Sequence, residues 1–148
     1  MKKQFLLFSL LAMIFLGGCS LLEDVNNTVS YVSDATDYMN EVSKFIEEAP
    51  TLAEQAITDE QARVDLENML QDMKDEMNTF NSLQAPDIAA DLHQQIVDQN
   101  QQAKDGIDLY LKNIENGTID PSVLENSEVL QSLQEITSLI DQIKQLGE

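Results

Sequence analysis

Apolar residues recur along this chain with the period of an α-helix, and this pattern constrains the fold more than any other feature. In the first long stretch, from about Leu21 to Glu48, three rows of apolar residues repeat every seven positions. Rows that are neighbours on a helix make one broad apolar face. The rows are Val25, Val32, Met39 and Ile46; Ala35, Val42 and Ala49; and Tyr31, Tyr38 and Phe45. No segment alternates with a period of two over a useful length, so we predict no β-sheet.

Helix-breaking and helix-starting signals divide the rest of the chain. Pro50 marks a break or a new first turn, after which Thr51–Ile57 adds a short helical piece. Thr58 and Gln61 have the spacing of a capping box, with Thr58 at the N-cap. The remaining signals are an end at Asn81-Ser82, a start near Asp87, an αL stop at Asn116-Gly117, and Asp120-Pro121 as N-cap and first helical residue.

Each later stretch also carries one apolar face, and short connections force neighbouring helices to be antiparallel. The faces comprise Ala62, Leu66, Met69, Leu70, Met73, Met77 and Phe80; Ile88, Leu92, Ile96, Ala103, Ile107, Leu111 and Ile114; and Val129, Leu133, Ile136, Ile140 and Ile143. We therefore predict an all-α fold, an up-down bundle of three to four helices. Gly106 lies inside a helical pattern, where it indicates a close approach of two helices or a slight bend.

The N-terminus resembles a bacterial lipoprotein signal peptide. Lys2 and Lys3 precede an uncharged apolar run that is too short to span a bilayer comfortably. Leu16-Gly17-Gly18-Cys19 then resembles a lipobox, in which the cysteine becomes the acylated first residue. This predicts a signal peptide at residues 1–18, a lipidated Cys19 with a short tether at 19–27, and a bundle domain at 28–148. We expect the protein to be held on the extracytoplasmic face of the cell membrane.

Charge excludes some classes of partner. Without the signal peptide the chain keeps six of its eight Lys and Arg residues and all 27 Asp and Glu residues, a formal charge of −21. Binding nucleic acid, or lying flat on an anionic membrane, requires clustered basic residues. The acidic surface favours solubility of an exported protein, or else a cation-binding surface or a docking face for a basic partner. Cys19 is the single cysteine, so the chain has no internal disulfide.

Motifs around the third stretch resemble those of a known family. They are Leu83-Gln84-Ala85-Pro86, Ala90-Asp91-Leu92-His93, Gly106-Ile107 and Tyr110-Leu111, together with the Cys-Ser-Leu-Leu-Glu start at Cys19. The whole chain is similar to an uncharacterised, domain-of-unknown-function family of small lipoproteins from Gram-positive bacteria. The resemblance implies the location and the fold, and it implies no catalytic residue.

His93 and the acidic pairs are the remaining polar candidates. Asp87, Asp91 and Asp98 lie near His93 in sequence, but a metal site would need further His or Cys ligands at suitable spacing. We interpret His93 as a surface histidine, or as one that packs beside the Ala85-Pro86 turn. The acidic pairs lie on polar helix faces, which does not favour acid–base catalysis. They are Glu47 with Glu48, Asp72 with Glu76, and Asp105 with Asp108.

Two apolar sets have alternative interpretations. Met69, Met73 and Met77 form a stripe that we assign to the core, although methionine surfaces also bind partners. Tyr31 and Tyr38 belong either to the edge of the core or to a partner-contact patch, and the sequence favours neither.

The sequence thus predicts a non-enzymatic, membrane-anchored helical module that engages another envelope protein. The alternative is a module that binds a small ligand or a cation between its helices. We predict no catalytic residue, metal ligand or cofactor. An exposed apolar strip would favour a protein partner, and an enclosed pocket would favour a small ligand.

Overall fold

Helices contain most of the residues that the structure describes. A computed structural model describes residues 18–125 and 128–147, and within these ranges no strand occurs. The helices are α1 (Gly18–Ala56), α2 (Glu60–Asn81), α3 (Ala90–Glu115), α4 (Pro121–Glu125) and α5 (Glu128–Leu146), with a 3-10 turn at Asp87–Ala89 before α3. The predicted all-α class is confirmed.

The four long helices form an up-down bundle. α1 packs against α2 and α5, and α3 packs against the same two helices, so α1 and α3 lie on a diagonal. Side chains on this diagonal meet at a constant sequence separation: Tyr31 contacts His93 and Tyr38 contacts Asn100, each 62 residues apart. A constant separation means that α1 and α3 run parallel and in register. The single-turn helix α4 packs against α1.

The core follows the predicted rows. Residues that are 4% exposed or less include Tyr31, Ala35, Tyr38, Val42, Phe45, Ala49, Leu66, Leu70, Ile96, Ile107, Leu133, Ile136 and Ile140. Met73 and Met77 are 3% and 0% exposed, and Met69 packs partly buried against the same cluster. The assignment of the methionine stripe to the core is confirmed. Ile88, which was placed on an apolar face, is 62% exposed instead because it lies in the 3-10 turn before α3.

The predicted break at Pro50 is wrong, because α1 continues through this residue to Ala56. A proline inside a helix removes one hydrogen bond and costs about 3 kcal/mol or more. Here Ala49 and Ala53, on either side of Pro50, are fully buried against the rest of the bundle. Burial of this last part of α1 offsets the local cost. At its other end α1 includes the predicted tether, so the backbone from Gly18 to Asn27 is helical.

Asp59, not Thr58, is the N-cap of α2. Its carboxylate accepts hydrogen bonds from the backbone amides of Gln61, at 2.8 Å, and Ala62, at 3.4 Å. The Gln61 side chain donates instead to Asp65 and so does not close the predicted capping box. An aspartate at this position also places negative charge at the positive end of the helix dipole. The predicted helix start is therefore displaced by one residue.

The stop after α3 agrees with the sequence. Gly117 has a φ of +80°, the left-handed conformation that glycine adopts without strain. The amide of Gly117 donates to Ile114 O and that of Thr118 donates to Asn113 O, both at 2.9 Å, which is the Schellman pattern. Asp120 then caps α4, since its carboxylate accepts from the Ser122 amide.

α3 and α5 approach each other closely at Gly106. A Cβ atom built on Gly106 would lie 2.4 Å from Cγ2 of Val129. Valine is stiff at χ1, so this methyl group has little freedom to move away. Of the two predicted roles of Gly106, the close approach is the one that the structure supports.

Candidate functional site

An aromatic and polar cluster fills the end of the bundle where α1 enters it. Phe80 of α2 stacks on Tyr38 and on His93, with ring centroids 4.7 Å and 5.1 Å away. The hydroxyl of Tyr31 lies 2.9 Å from Nδ1 of His93, and accepts or donates according to the histidine tautomer. Tyr31 and Tyr38 are seven residues, or about two helical turns, apart on the same side of α1, which places both rings in this cluster.

A chain of hydrogen bonds crosses the next layer of the bundle. The Tyr38 hydroxyl donates to Oδ1 of Asn100 at 2.5 Å, and Nδ2 of Asn100 donates to Oδ1 of Asn81 at 2.7 Å. Asn100 is fully buried. A buried amide with its partners satisfied fixes the register of neighbouring helices, since any other register leaves it unpaired. The network therefore joins α1, α2 and α3 at one height.

The cluster bears on two sequence interpretations. Tyr31 and Tyr38 are 3% and 4% exposed, so both rings belong to the core. Contact of either ring with a partner protein stays a prediction. The surface interpretation of His93 is wrong, because its partly buried ring packs against Tyr31 and Phe80. The Tyr31 and Tyr38 rings face the centre of the bundle, where α3 presents His93 and Asn100 across the diagonal.

Burial shifts the pKa values of this cluster. Desolvation raises the pKa of the Tyr31 and Tyr38 hydroxyls far above their ordinary value. For Tyr38 the bond to Asn100 opposes this rise, and the charge of Glu76 adds to it. Desolvation lowers the pKa of His93 below its ordinary value of 6.5. The cluster therefore favours neutral forms of all three rings.

The free energy of unfolding is expected to fall as the pH is lowered from about 7.5 to about 5.5, and to fall less in a His93→Gln variant. Below pH 6.5 the unfolded chain binds a proton at His93 more readily than the folded protein does. The stabilisation is thus complete above the unfolded-state pKa and is lost as the pH falls. We expect the contribution of His93 to this fall in the free energy of unfolding to be less than about 1 kcal/mol, because the ring is only partly buried. Urea unfolding at both pH values measures it, and equal losses in parent and variant would contradict it.

The predicted polar pairs do not converge on one point. Among the residues that the structure describes, no three His, Cys, Asp or Glu side chains are grouped closely enough to hold a metal ion. Asp98 accepts a hydrogen bond from Gln94, and Asp105 accepts one from Gln101 on its own helix. Asp108 forms an ion pair with Lys74 of α2. These contacts are those of solvated helix surfaces.

An open groove lies at the same end of the bundle as the aromatic cluster. It has a volume of about 750 Å³ and lies between the N-terminal part of α1, the loop before α3 and the end of α5. Val29 and Ile88, which are 57% and 62% exposed, line it together with Leu83, Pro86 and Leu146. We call it the Val29–Ile88 groove. The five named side chains give it an apolar wall that is open to solvent.

Two further grooves follow the junction of α1 and α2, which we call the α1–α2 seam. One is lined by Asp34, Asp37, Tyr38, Asn40, Glu41, Glu76, Thr79, Phe80 and Leu83. The other is lined by Glu41, Lys44, Phe45, Asp65, Asn68, Met69, Asp72, Met73, Asp75 and Glu76. Asp34 and Leu83 also line the Val29–Ile88 groove, so the three depressions adjoin one another.

The structure describes only part of the predicted lipidation site. Leu16 and Gly17 lie outside the described residues, whereas Gly18 and Cys19 are the first two residues of α1. None of the helices in the described ranges has the length and apolar character needed to cross a bilayer. The structure therefore leaves acylation of Cys19 as a sequence prediction.

Sequence reasoning missed Asn100 and the two grooves along the seam. Asn100 is polar and so belongs to none of the apolar rows, although it stands seven residues after His93 and four after the buried Ile96. The seam required the pairing of α1 with α2, which periodicity does not provide. The signal available in sequence was the row of acids at Asp34, Asp37 and Glu41, spaced for one side of a helix.

Comparison with known proteins gives a consistent result. The model of a family of unknown function, DUF6376, matches residues 31–146. An uncharacterized lipoprotein of Bacillus subtilis (strain 168), YybP, is 35% identical over 132 residues, which are 89% of this chain and 89% of the relative. No solved structure matches the chain. The family match begins at Tyr31, the first buried residue of α1 among those whose side chains are described.

Proposed function

We propose, from the premise that this chain belongs to the DUF6376 family of unknown function, that it is a lipid-anchored, non-enzymatic helical module that binds another protein of the cell envelope. The relative that shares 35% of its residues is named a lipoprotein. The lipobox-like Leu16-Gly17-Gly18-Cys19 supports the same kind of attachment here. With Cys19 acylated after export, the bundle stands on the extracytoplasmic face of the membrane.

The position of the Val29–Ile88 groove supports a partner within the envelope. α1 is continuous from Cys19 to Val29, ten residues later, which is about 15 Å of helix. The groove therefore opens close to the anchored end of the protein. A protein that fills it would come close to the membrane surface, which favours a partner from the cell envelope.

One observation carries the choice of a protein partner: Val29 and Ile88 are both more than half exposed and line one open groove. Exposed apolar surface of this kind marks a protein contact more often than a small-molecule site, which is enclosed. The alternative of a small ligand held between the helices has less support. Tyr31 contacts His93 and Tyr38 contacts Asn100 across the diagonal, so these side chains occupy the centre of the bundle.

Photo-crosslinking in living cells tests this function. A photoreactive amino acid is placed at Ile88 and, as the matched control, at Ile57, which is 56% exposed at the opposite end of α1. We expect a discrete protein adduct from Ile88 that is absent from Ile57. Equal adducts from both positions, or none from Ile88, would overturn the proposal.

A further inference from the structure

We propose that the α1–α2 seam binds a basic, amphipathic helical segment of the partner protein. This inference rests on the proposed function and adds the chemistry of the partner and the face that receives it. The seam continues from the Val29–Ile88 groove through the shared residues Asp34 and Leu83. One segment that enters the groove can therefore extend along the seam.

The seam has the length and form of a helix-binding groove. Its two depressions share Glu41 and Glu76, so they adjoin each other and together make one channel that these two side chains line. Along α1 the channel extends from Asp34 to Phe45, eleven residues apart and about 16 Å of helix. A bound helix of three turns covers this distance.

The walls of the seam are acidic. Asp34, Asp37 and Glu41 line it from α1, and Asp65, Asp72, Asp75 and Glu76 line it from α2. Lys44 is the single basic residue among the lining residues of the two grooves. None of these seven carboxylates takes part in the ion pairs that the described residues form, which join Arg63 to Glu60, Lys74 to Asp108 and Lys144 to Asp141. The charge of the seam is thus left for an outside partner.

The floor of the seam is apolar. Phe80 and Tyr38 lie at one end, and Phe45 and Met73 at the other. Leu83 and Met69 are only partly buried, so one apolar side chain is accessible in each depression. Methionine adapts its shape to varied apolar partners. An apolar floor between two acidic walls matches a helix with an apolar stripe flanked by Lys or Arg.

Charge decides between possible occupants. A second copy of this chain carries 27 acidic residues and is repelled, as is an anionic membrane surface. The carboxylates are also spread along two helices, and in the part of the chain that the structure describes no three converge on one metal position. A row of cationic side chains at helical spacing satisfies them best, since each pairs with a different carboxylate.

Binding of a designed peptide tests the inference. The full mature lipoprotein is held in phosphatidylcholine nanodiscs, and the probe is a fluorescent helix of about 14 residues with leucine on one face and lysine on the flanks. A peptide with glutamate in place of lysine is the charge control. We expect saturable binding of the lysine peptide above that of empty nanodiscs, and none of the glutamate peptide. Equal binding of both peptides, or of neither, overturns the inference.

Matched variants locate the site. Asp37→Asn, Glu41→Gln and Glu76→Gln together remove three charges from the seam, whereas Asp98→Asn, Asp105→Asn and Glu135→Gln remove three exposed charges from α3 and α5. We expect the seam variant to weaken binding about tenfold and the control variant less than twofold. Equal weakening indicates attraction to net charge alone and overturns the site.

Three further outcomes bear on this inference and on the proposed function. If millimolar Ca²⁺ abolishes binding of the lysine peptide while the same ionic strength of Na⁺ does not, a divalent ion is the better occupant and the inference fails. If Ile88 forms its adduct in cells but the lysine peptide does not bind, only the chemistry of the partner is wrong. If the lysine peptide binds but Ile88 forms no adduct in cells, the proposed function is contradicted.

Discussion

Replacing Cys19 with alanine is expected to abolish incorporation of labelled palmitate and to leave a precursor of full length. In a lipobox the cysteine sulfur is the atom that accepts the diacylglyceryl group, so no other residue of the predicted lipobox could replace Cys19. Stable attachment to a membrane requires two or more acyl chains, since one chain binds only marginally. Metabolic labelling followed by gel electrophoresis reports both the lipid and the change in length.

The readout for this variant must be the lipid and the length, not cell fractionation. An uncleaved signal peptide keeps its apolar run and holds the precursor at the membrane by another route. Ser20→Ala, one residue away, is the matched control and should be labelled like the parent. Undiminished labelling of the Cys19→Ala protein would show that Leu16-Gly17-Gly18-Cys19 is not the site of modification.

The second large effect is expected from Met77→Asp in the core. Met77 is fully buried, so the variant places an unpaired carboxylate among apolar side chains. Such a change costs several kcal/mol, a large part of the roughly 5–15 kcal/mol that stabilises a domain. Urea unfolding, followed by circular dichroism, measures the difference in the free energy of unfolding.

Two variants make the result specific to burial and charge. Met77→Leu keeps the volume nearly constant and should cost less than about 1.5 kcal/mol. Asp75→Asn alters an exposed residue of the same helix and should change stability by no more than about 0.5 kcal/mol. If Met77→Asp unfolds at the same urea concentration as the parent, α2 does not bury this face.

Periodicity predicted the class of fold because burial in a helical bundle repeats with the turn of the helix. It assigned Met73 and Met77 to the core. The local signals had mixed success: Asn116-Gly117 gave the correct stop, where the positive φ favours glycine, but Pro50 gave a break that does not occur. At Pro50 the burial of Ala49 and Ala53 outweighs the local cost of a proline inside a helix. Local rules are dependable only where no tertiary contact opposes them.

The candidate site was harder to predict because it depends on which helices are neighbours. Tyr31 and Tyr38 were assigned to the core only once α3 placed His93 and Asn100 opposite them. The acidic residues were visible as a net charge, but which of them line the α1–α2 seam depends on how the faces of α1 and α2 meet. Short connections predict that consecutive helices are neighbours, whereas the rotation of each helix about its axis is set by packing across the whole bundle.

If Cys19 is acylated as proposed, the unbroken α1 also limits how the bundle moves relative to the membrane. A flexible linker of the twelve residues from Cys19 to Ser30 would have an end-to-end distance of about 20 Å, with large fluctuations in length and direction. As a helix the same residues extend about 18 Å with little variation. The mean end-to-end distance is nearly equal for the flexible linker and for the helix, whereas the helix has much less orientational freedom. An anchored protein of this form would hold the seam at a nearly fixed height above the membrane, so lateral diffusion and rotation about the membrane normal would suffice to bring the seam to the proposed partner.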